Sequence, residues 1–215
     1  MAAAPDHVEL HYEDETHLET NSYLTRVWHR RGVQPTVPAV GMNRRVTVFG
    51  SVAAFGRGRV EVICAGQTSA CFAQYLEVLD TRHTTLGVEM YLVLDNGPCH
   101  TSKASMTALE VRKHWLHVIW LAKYSPELNH KEREWRLLKR DTRGHLAADL
   151  RTFVDEIITG LQCLGGTKCD IVDHVPQWFI DGHRVQPTGR SRGRPVGSKD
   201  SYQRSYTRKN LPAPT

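Results

Sequence analysis

The chain of 215 residues has no apolar run approaching the ~20 residues needed to span a bilayer. Its opening, MAAAPDHVEL, has neither a basic segment nor a long apolar one, so a secretory signal is not expected. Cysteine is scarce: five residues, an odd number, with no CxxC pair. That argues against a disulfide framework and for a reducing, cytoplasmic setting. Cys163, Cys169, His174 and His183 match no zinc-finger spacing, and the group His7, His11 and His17 lies on or near one strand, so neither is read as a metal site. Acid is almost missing from residues 186–215, where Asp200 stands against seven Lys and Arg. That segment holds a surplus of six positive charges. The whole chain carries +5, so residues 1–185 carry a net charge of −1. A near-neutral body with a basic tail suggests a polyanionic partner.

What is present is enough for one core and a tail. Residues 7–15, HVELHYEDE, alternate, placing Val8, Leu10, Tyr12 and Asp14 on one face and Glu9, His11, Glu13 and Glu15 on the other. Residues 16–42 lack clear periodicity. Two β-branched strands follow, 44–53 and 59–65, around the turn signal AFGRG. Phe72, Tyr75, Leu76 and Leu79 predict a helix over 68–86, capped by Thr68 or Ser69 and stopped by Gly87. Residues 88–94 form a nearly continuous apolar strand of the kind buried on both faces. Then come a helix over 102–115 with the stripe Ala104, Ala108, Val111 and Trp115, a strand over 117–122, and helices over 132–143 and 149–164.

The order β-β-β-α-β-α-β-α-α implies a meander of three strands. A crossover then sets the fourth strand parallel to an earlier one. With the first strand as that neighbour, Asp14 and Asp95 sit side by side, and a helix starting near Glu132 closes the site from a third direction. This is a ribonuclease-H-like α/β fold: a mixed five-stranded sheet with helices on both faces, followed by a disordered basic C-terminal tail. Carboxylates at the edges of rigid elements are one way to build a divalent metal site. Asp14 fits such a site or a solvated strand end, and Glu132 fits it or an acid favoured by a helix dipole. Glu134 lies about 200° around the helix from Glu132, so both cannot face one site.

YEDETHL, Trp28 to Gly32, RRVTVFGSV, LVLDNGPCH and YSPELNHKEREWRLLK, in that order, resemble the catalytic domain of DDE transposases. The likeness is to bacterial insertion-sequence enzymes related to the mariner superfamily, and it covers roughly residues 7–160. It implies a catalytic and metal-binding triad of Asp14, Asp95 and Glu132. It also implies two Mg²⁺ or Mn²⁺ ions ~3.5–4 Å apart, and cutting and joining of DNA by phosphodiester transfer. Asn96 and His100, just after the second Asp, are candidates to orient a ligand or touch phosphate. His130 and Lys131 stand where relatives often carry a Pro and an apolar residue. Relatives also carry helix-turn-helix modules ahead of this domain. The expectation is therefore a catalytic half, either a truncated copy or one whose DNA recognition comes from a separately encoded subunit or frame, working on nucleoid DNA, with a homodimer as a further candidate assembly.

The expected division is a catalytic domain over 1–165, an extension over 166–185 and the basic tail over 186–215. Within the tail, SRGRPVGSK resembles an AT-hook, with Arg192, Arg194 and Lys199 as DNA contacts in an A·T-rich minor groove. Two other readings share the sequence: a remnant that only binds DNA through its tail, and a different ribonuclease-H-like nuclease.

Overall fold

The computed structural model describes residues 7–21, 28, 30–32, 43–55, 58–122, 125–141, 147, 149–164 and 169–182. Its centre is a mixed six-stranded sheet ordered β5-β4-β1-β2-β3-β6. The strands are β1 (Val8–Glu19), β2 (Arg45–Ala53), β3 (Arg59–Cys64), β4 (Glu89–Leu94), β5 (Leu116–Trp120) and β6 (Cys169–Asp173). β1 pairs antiparallel with β2, and β2 with β3, giving the meander. β4 lies parallel to β1 on its other side, with Val8 opposite Glu89 and Tyr12 opposite Val93. The five expected strands are all present. β6, from the segment read as an extension, adds a sixth beside β3 in parallel register.

Helices cover both faces. α1 (Ser69–Leu86) packs Phe72, Tyr75, Leu76 and Leu79 on Phe49, Val60, Val62, Met90, Leu92 and Leu94. Thr68 caps it by accepting from the Cys71 amide at 3.2 Å, and Gly87 closes it in the left-handed region at φ 64°. α4 (Lys131–Asp141) and α5 (Leu150–Cys163) cover the opposite face, where Trp135, Leu138, Phe153, Val154, Ile157 and Leu161 meet Leu18, Val46, Val48 and Ile63.

Two expectations need correction. β1 runs on to Glu19, because Thr16 and Leu18 still bury against its neighbours and pair with β2. The helix expected over 102–115 is two pieces, α2 (Pro98–Thr101) and α3 (Lys103–Arg112), split at Ser102, whose hydroxyl caps α3 through the Ser105 amide at 3.1 Å. The new start turns α3 so that Ser105 and Leu109 are buried, while Val111 is 68% exposed, and Trp115 packs from beyond the helix end. A last short helix, α6 (Gln177–Ile180), follows β6. The tail contacts expected at Arg192, Arg194 and Lys199 lie outside the described residues.

Candidate active site

β1 and β4, parallel neighbours in the sheet, lead to two of the expected acids. Their register pairs residues 81 apart as far as Tyr12 and Val93; Asp14 lies two residues beyond that last pair within β1, and Asp95 directly follows the end of β4. Across the other side of β1, Asp14 pairs with Gly50 of β2. The third acid arrives on α4. A 3-10 turn over Pro126–Leu128 leads to Asn129, whose amide side chain donates to the Glu13 carbonyl at 2.7 Å. The Asn129 side-chain oxygen accepts from the Lys131 amide at 3.1 Å. One buried asparagine thus ties the start of α4 to the backbone beside Asp14, with Glu132 in the first turn.

A second anchor is Lys131, fully buried, which pairs with the fully buried Glu61 of β3, with Glu134 at 2.7 Å, and lies 4.3 Å from the centre of the Trp135 ring. Burial pushes the Glu61 carboxyl up to about 7 despite the pull of Lys131. Trp135 is buried, whereas the next residue, Arg136, is exposed. Glu134 turns to Lys131, away from Glu132's role.

The electrostatics are uneven. Burial pushes the Asp14 carboxyl up to about 8, with the charges of Glu13, Glu15 and Glu132 adding to the rise. An acid crowded by three others holds its proton at neutral pH unless a cation enters. Asp95 shifts the other way, below its usual range: His100 donates to it at 2.8 Å, outweighing burial, and the Gly97 amide adds a second bond at 2.8 Å. Gly97 has to be small, since a Cβ there would lie 2.8 Å from Asp95 Oδ1. Asn96 points elsewhere, donating to the Leu121 carbonyl at 2.7 Å and tying the end of β4 to the end of β5.

Beneath Asp14, on the α1 face, β1 carries a row of buried polar groups. Glu9 accepts from Arg82 Nε and Nη2, both at 2.8 Å, and from His11 at 3.0 Å. His11 also meets Ser51 at 2.9 Å. Burial lowers the His11 pKa, so the neutral imidazole donates from Nε2 to Glu9 and accepts from the Ser51 hydroxyl at Nδ1. Glu13 is fully buried and raised to about 7 by burial, with His100 opposing. Sequence reading missed Asn129, Lys131, Glu61 and Glu13. The usable signals were an asparagine in the turn before α4, and a charged face on a strand that the topology makes central and therefore buries.

The DDE superfamily endonuclease profile matches residues 9–154. The insertion element IS630 uncharacterized 39 kDa protein of Shigella sonnei is 30% identical over 142 residues, which is 65% of this chain and 40% of that protein. The chain thus spans well under half the length of that curated relative. Two solved structures, the Mos1 transposase paired-end complex with left transposon end and the Mos1 strand transfer complex, align at TM-scores of 0.58 and 0.57. Each is 14% identical and covers 74% of this chain, and 49% and 48% respectively of its own. At that identity the likeness speaks for the fold, a ribonuclease-H-like sheet with helices on both faces.

Proposed function

The chain belongs to the DDE superfamily of endonucleases, and from that premise we propose that it is a transposase catalytic domain that cuts and joins DNA. Asp14, Asp95 and Glu132 are its metal-binding and catalytic carboxylates. The observation that carries this reading is the crowding at Asp14, a half-buried carboxyl raised to about 8 among Glu13, Glu15 and Glu132. An all-oxygen acidic cluster short of positive charge fits hard divalent cations such as Mg²⁺ or Mn²⁺. When bound, two such ions would supply Lewis acidity to the attacking and leaving oxygens of a phosphodiester.

The chain's own residues supply position. Asp14 is held between paired strands. Asp95 is held by the Gly97 amide and the His100 ring. Glu132 is held by the Asn129 and Lys131 anchors. Rigid placement of this kind is what an in-line displacement needs, because small misplacements cost large factors in rate. The reaction class is hydrolysis at an element end, followed by attack of the freed 3′-hydroxyl on target DNA. One of the Mos1 structures is described as a paired-end complex with the left transposon end; we assign this chain the same class of substrate. Recognition of specific ends is assigned to sequence outside residues 9–154, and the basic segment 186–215 to general DNA attraction.

The test is nicking of supercoiled DNA with Mg²⁺ or Mn²⁺. Asp95→Asn is expected to abolish it while leaving the urea unfolding transition nearly unchanged. Undiminished nicking by that variant removes the assigned role. Joining of a free 3′-hydroxyl to target DNA separates a transposase from another nuclease of this fold, and metal-independent inertness of the native chain leaves only a DNA-binding remnant.

A further inference from the structure

A second cluster lies behind the triad on the α1 face, and the proposed reaction draws on it only through the bond from His100 to Asp95. Glu13 is fully buried, and neither of its carboxylate oxygens accepts a hydrogen bond. His100 is fully buried too. Its Nδ1 is bonded to Asp95, while Nε2 lies 3.1 Å from Glu13 Oε2 at an angle that makes no hydrogen bond. Glu15 Oε1 is 2.7 Å from Cys99 Sγ and 3.8 Å from His100 Nε2. Donor atoms of Glu15, Cys99 and His100 all lie within 4.8 Å of one another.

The two Glu13 oxygens and His100 Nε2 face each other as a buried ion pair with no aligned hydrogen bond, so the cost of taking these three atoms out of water is only partly offset. A single cation among them would satisfy all three. The donor types then select the ion. A thiolate and an imidazole are soft to borderline ligands that suit Zn²⁺, whereas Mg²⁺ takes oxygen. One sulfur, one nitrogen and two carboxylate oxygens also meet the four-coordinate habit of zinc. The remaining ring nitrogen is already fixed by a carboxylate, since Asp95 holds Nδ1, and that arrangement orients a histidine ligand with Nε2 toward the metal.

We propose that Glu13, Glu15, Cys99 and His100 form a binding site for one thiophilic divalent cation, Zn²⁺ by its ligand set, distinct from the oxygen triad. Binding releases the proton of the Cys99 thiol and any proton on Glu13 or His100 Nε2, and leaves Nδ1–H on Asp95. The site does not depend on the transposase reading, because none of its four ligands belongs to the triad; the two meet at the bond between His100 and Asp95 and through the charges of Glu13 and Glu15 acting on Asp14.

The test uses the full chain, stripped with a chelator and titrated with Co²⁺ as a spectroscopic stand-in for Zn²⁺. One equivalent is expected to bind with a thiolate-to-cobalt charge-transfer band that Zn²⁺ abolishes and Mg²⁺ does not. Cys99→Ser should remove the band and weaken Zn²⁺ binding by about tenfold or more. Cys163→Ser, at the exposed end of α5, should change neither. Glu132→Gln should keep the band, which separates this site from the triad. Glu13→Gln, close in shape, serves as the second variant should Cys99→Ser fail to fold, and is expected to weaken Zn²⁺ binding while keeping the band. Absence of the band in the native chain, its survival in Cys99→Ser, its loss in Glu132→Gln, or unweakened Zn²⁺ binding by Glu13→Gln would each overturn the proposal.

Discussion

Arg82, reaching from α1 to Glu9 with one side bonded to Asp170 at 2.7 Å, shows how a charged residue survives inside the sheet. Burial alone would raise the Glu9 carboxyl, but His11 and Arg82 hold it down to about 2. Its folded value lies below its ordinary one of 4.5, so the stabilisation is complete above about pH 4.5 and is lost as pH falls through 2. The native chain should therefore lose unfolding free energy between those values, by an amount of order 3 kcal/mol. Glu9→Gln should show a flatter acid limb, as measured by urea unfolding at a series of pH values. Lys131 gives a second residue-level prediction. Lys131→Met leaves Glu61 buried without its partner and should cost roughly 3–5 kcal/mol. Adding Glu61→Leu should recover most of that loss, since a well-packed apolar pair can replace a buried ion pair. Failure of the double variant to recover would mean that Glu134 and Arg59, also at this cluster, need the charge.

Between elements, the placement of Glu132 depends on how closely α4 approaches β2. Gly50 makes that approach possible: a Cβ there would lie 2.0 Å from Glu61 Oε2, 2.6 Å from Trp135 and 2.8 Å from Lys131. Gly50→Ala should therefore push α4 outward, costing roughly 1–3 kcal/mol in urea unfolding, the usual scale of overpacking. It should also raise the Mg²⁺ concentration needed for half-maximal nicking. Elements of this kind were only partly legible. The periodicity of α1 gave its buried stripe and both ends, because a capping Thr and a closing Gly are local signals. The alternation in β1 separated its faces correctly, with Glu13 and Asp14 pointing opposite ways. It carried no sign that the charged face is the deeply buried one, because the groups that make this tolerable, Ser51, Arg82 and His100, lie 40 to 87 positions further along the chain. The break at Ser102 was hidden for a different reason: a serine within an otherwise helical pattern reads as a minor defect until its hydroxyl is seen capping a new helix. For the candidate site, the three acids were legible as candidates from their positions in the sequence. Their anchors Asn129 and Lys131 were not, because each acts on a partner in another strand.

For the whole molecule, the charge imbalance predicts a division of labour. The body is close to neutral and the surplus lies in residues 186–215. If about half of that segment's cations meet phosphates, its removal should flatten the salt dependence of DNA binding by roughly three units of log K against log salt. Arg194→Ala should weaken binding to A·T-rich duplex more than to G·C-rich duplex, and titration of both duplexes at several salt concentrations checks the two statements together. The sheet order has a consequence of another kind. β1 lies between β2 and β4, and its partner β4 begins 81 residues later; β3 waits 110 residues for β6. During synthesis β1 leaves the ribosome carrying Glu9, His11 and Glu13 long before Arg82 and His100 exist to receive them. Pairings so distant in sequence have to close long loops before they gain anything, which slows the search for the native arrangement. The half-made sheet is thus a nascent-chain species with an open edge at β1, and its lifetime is set by how quickly the ribosome delivers the next hundred residues.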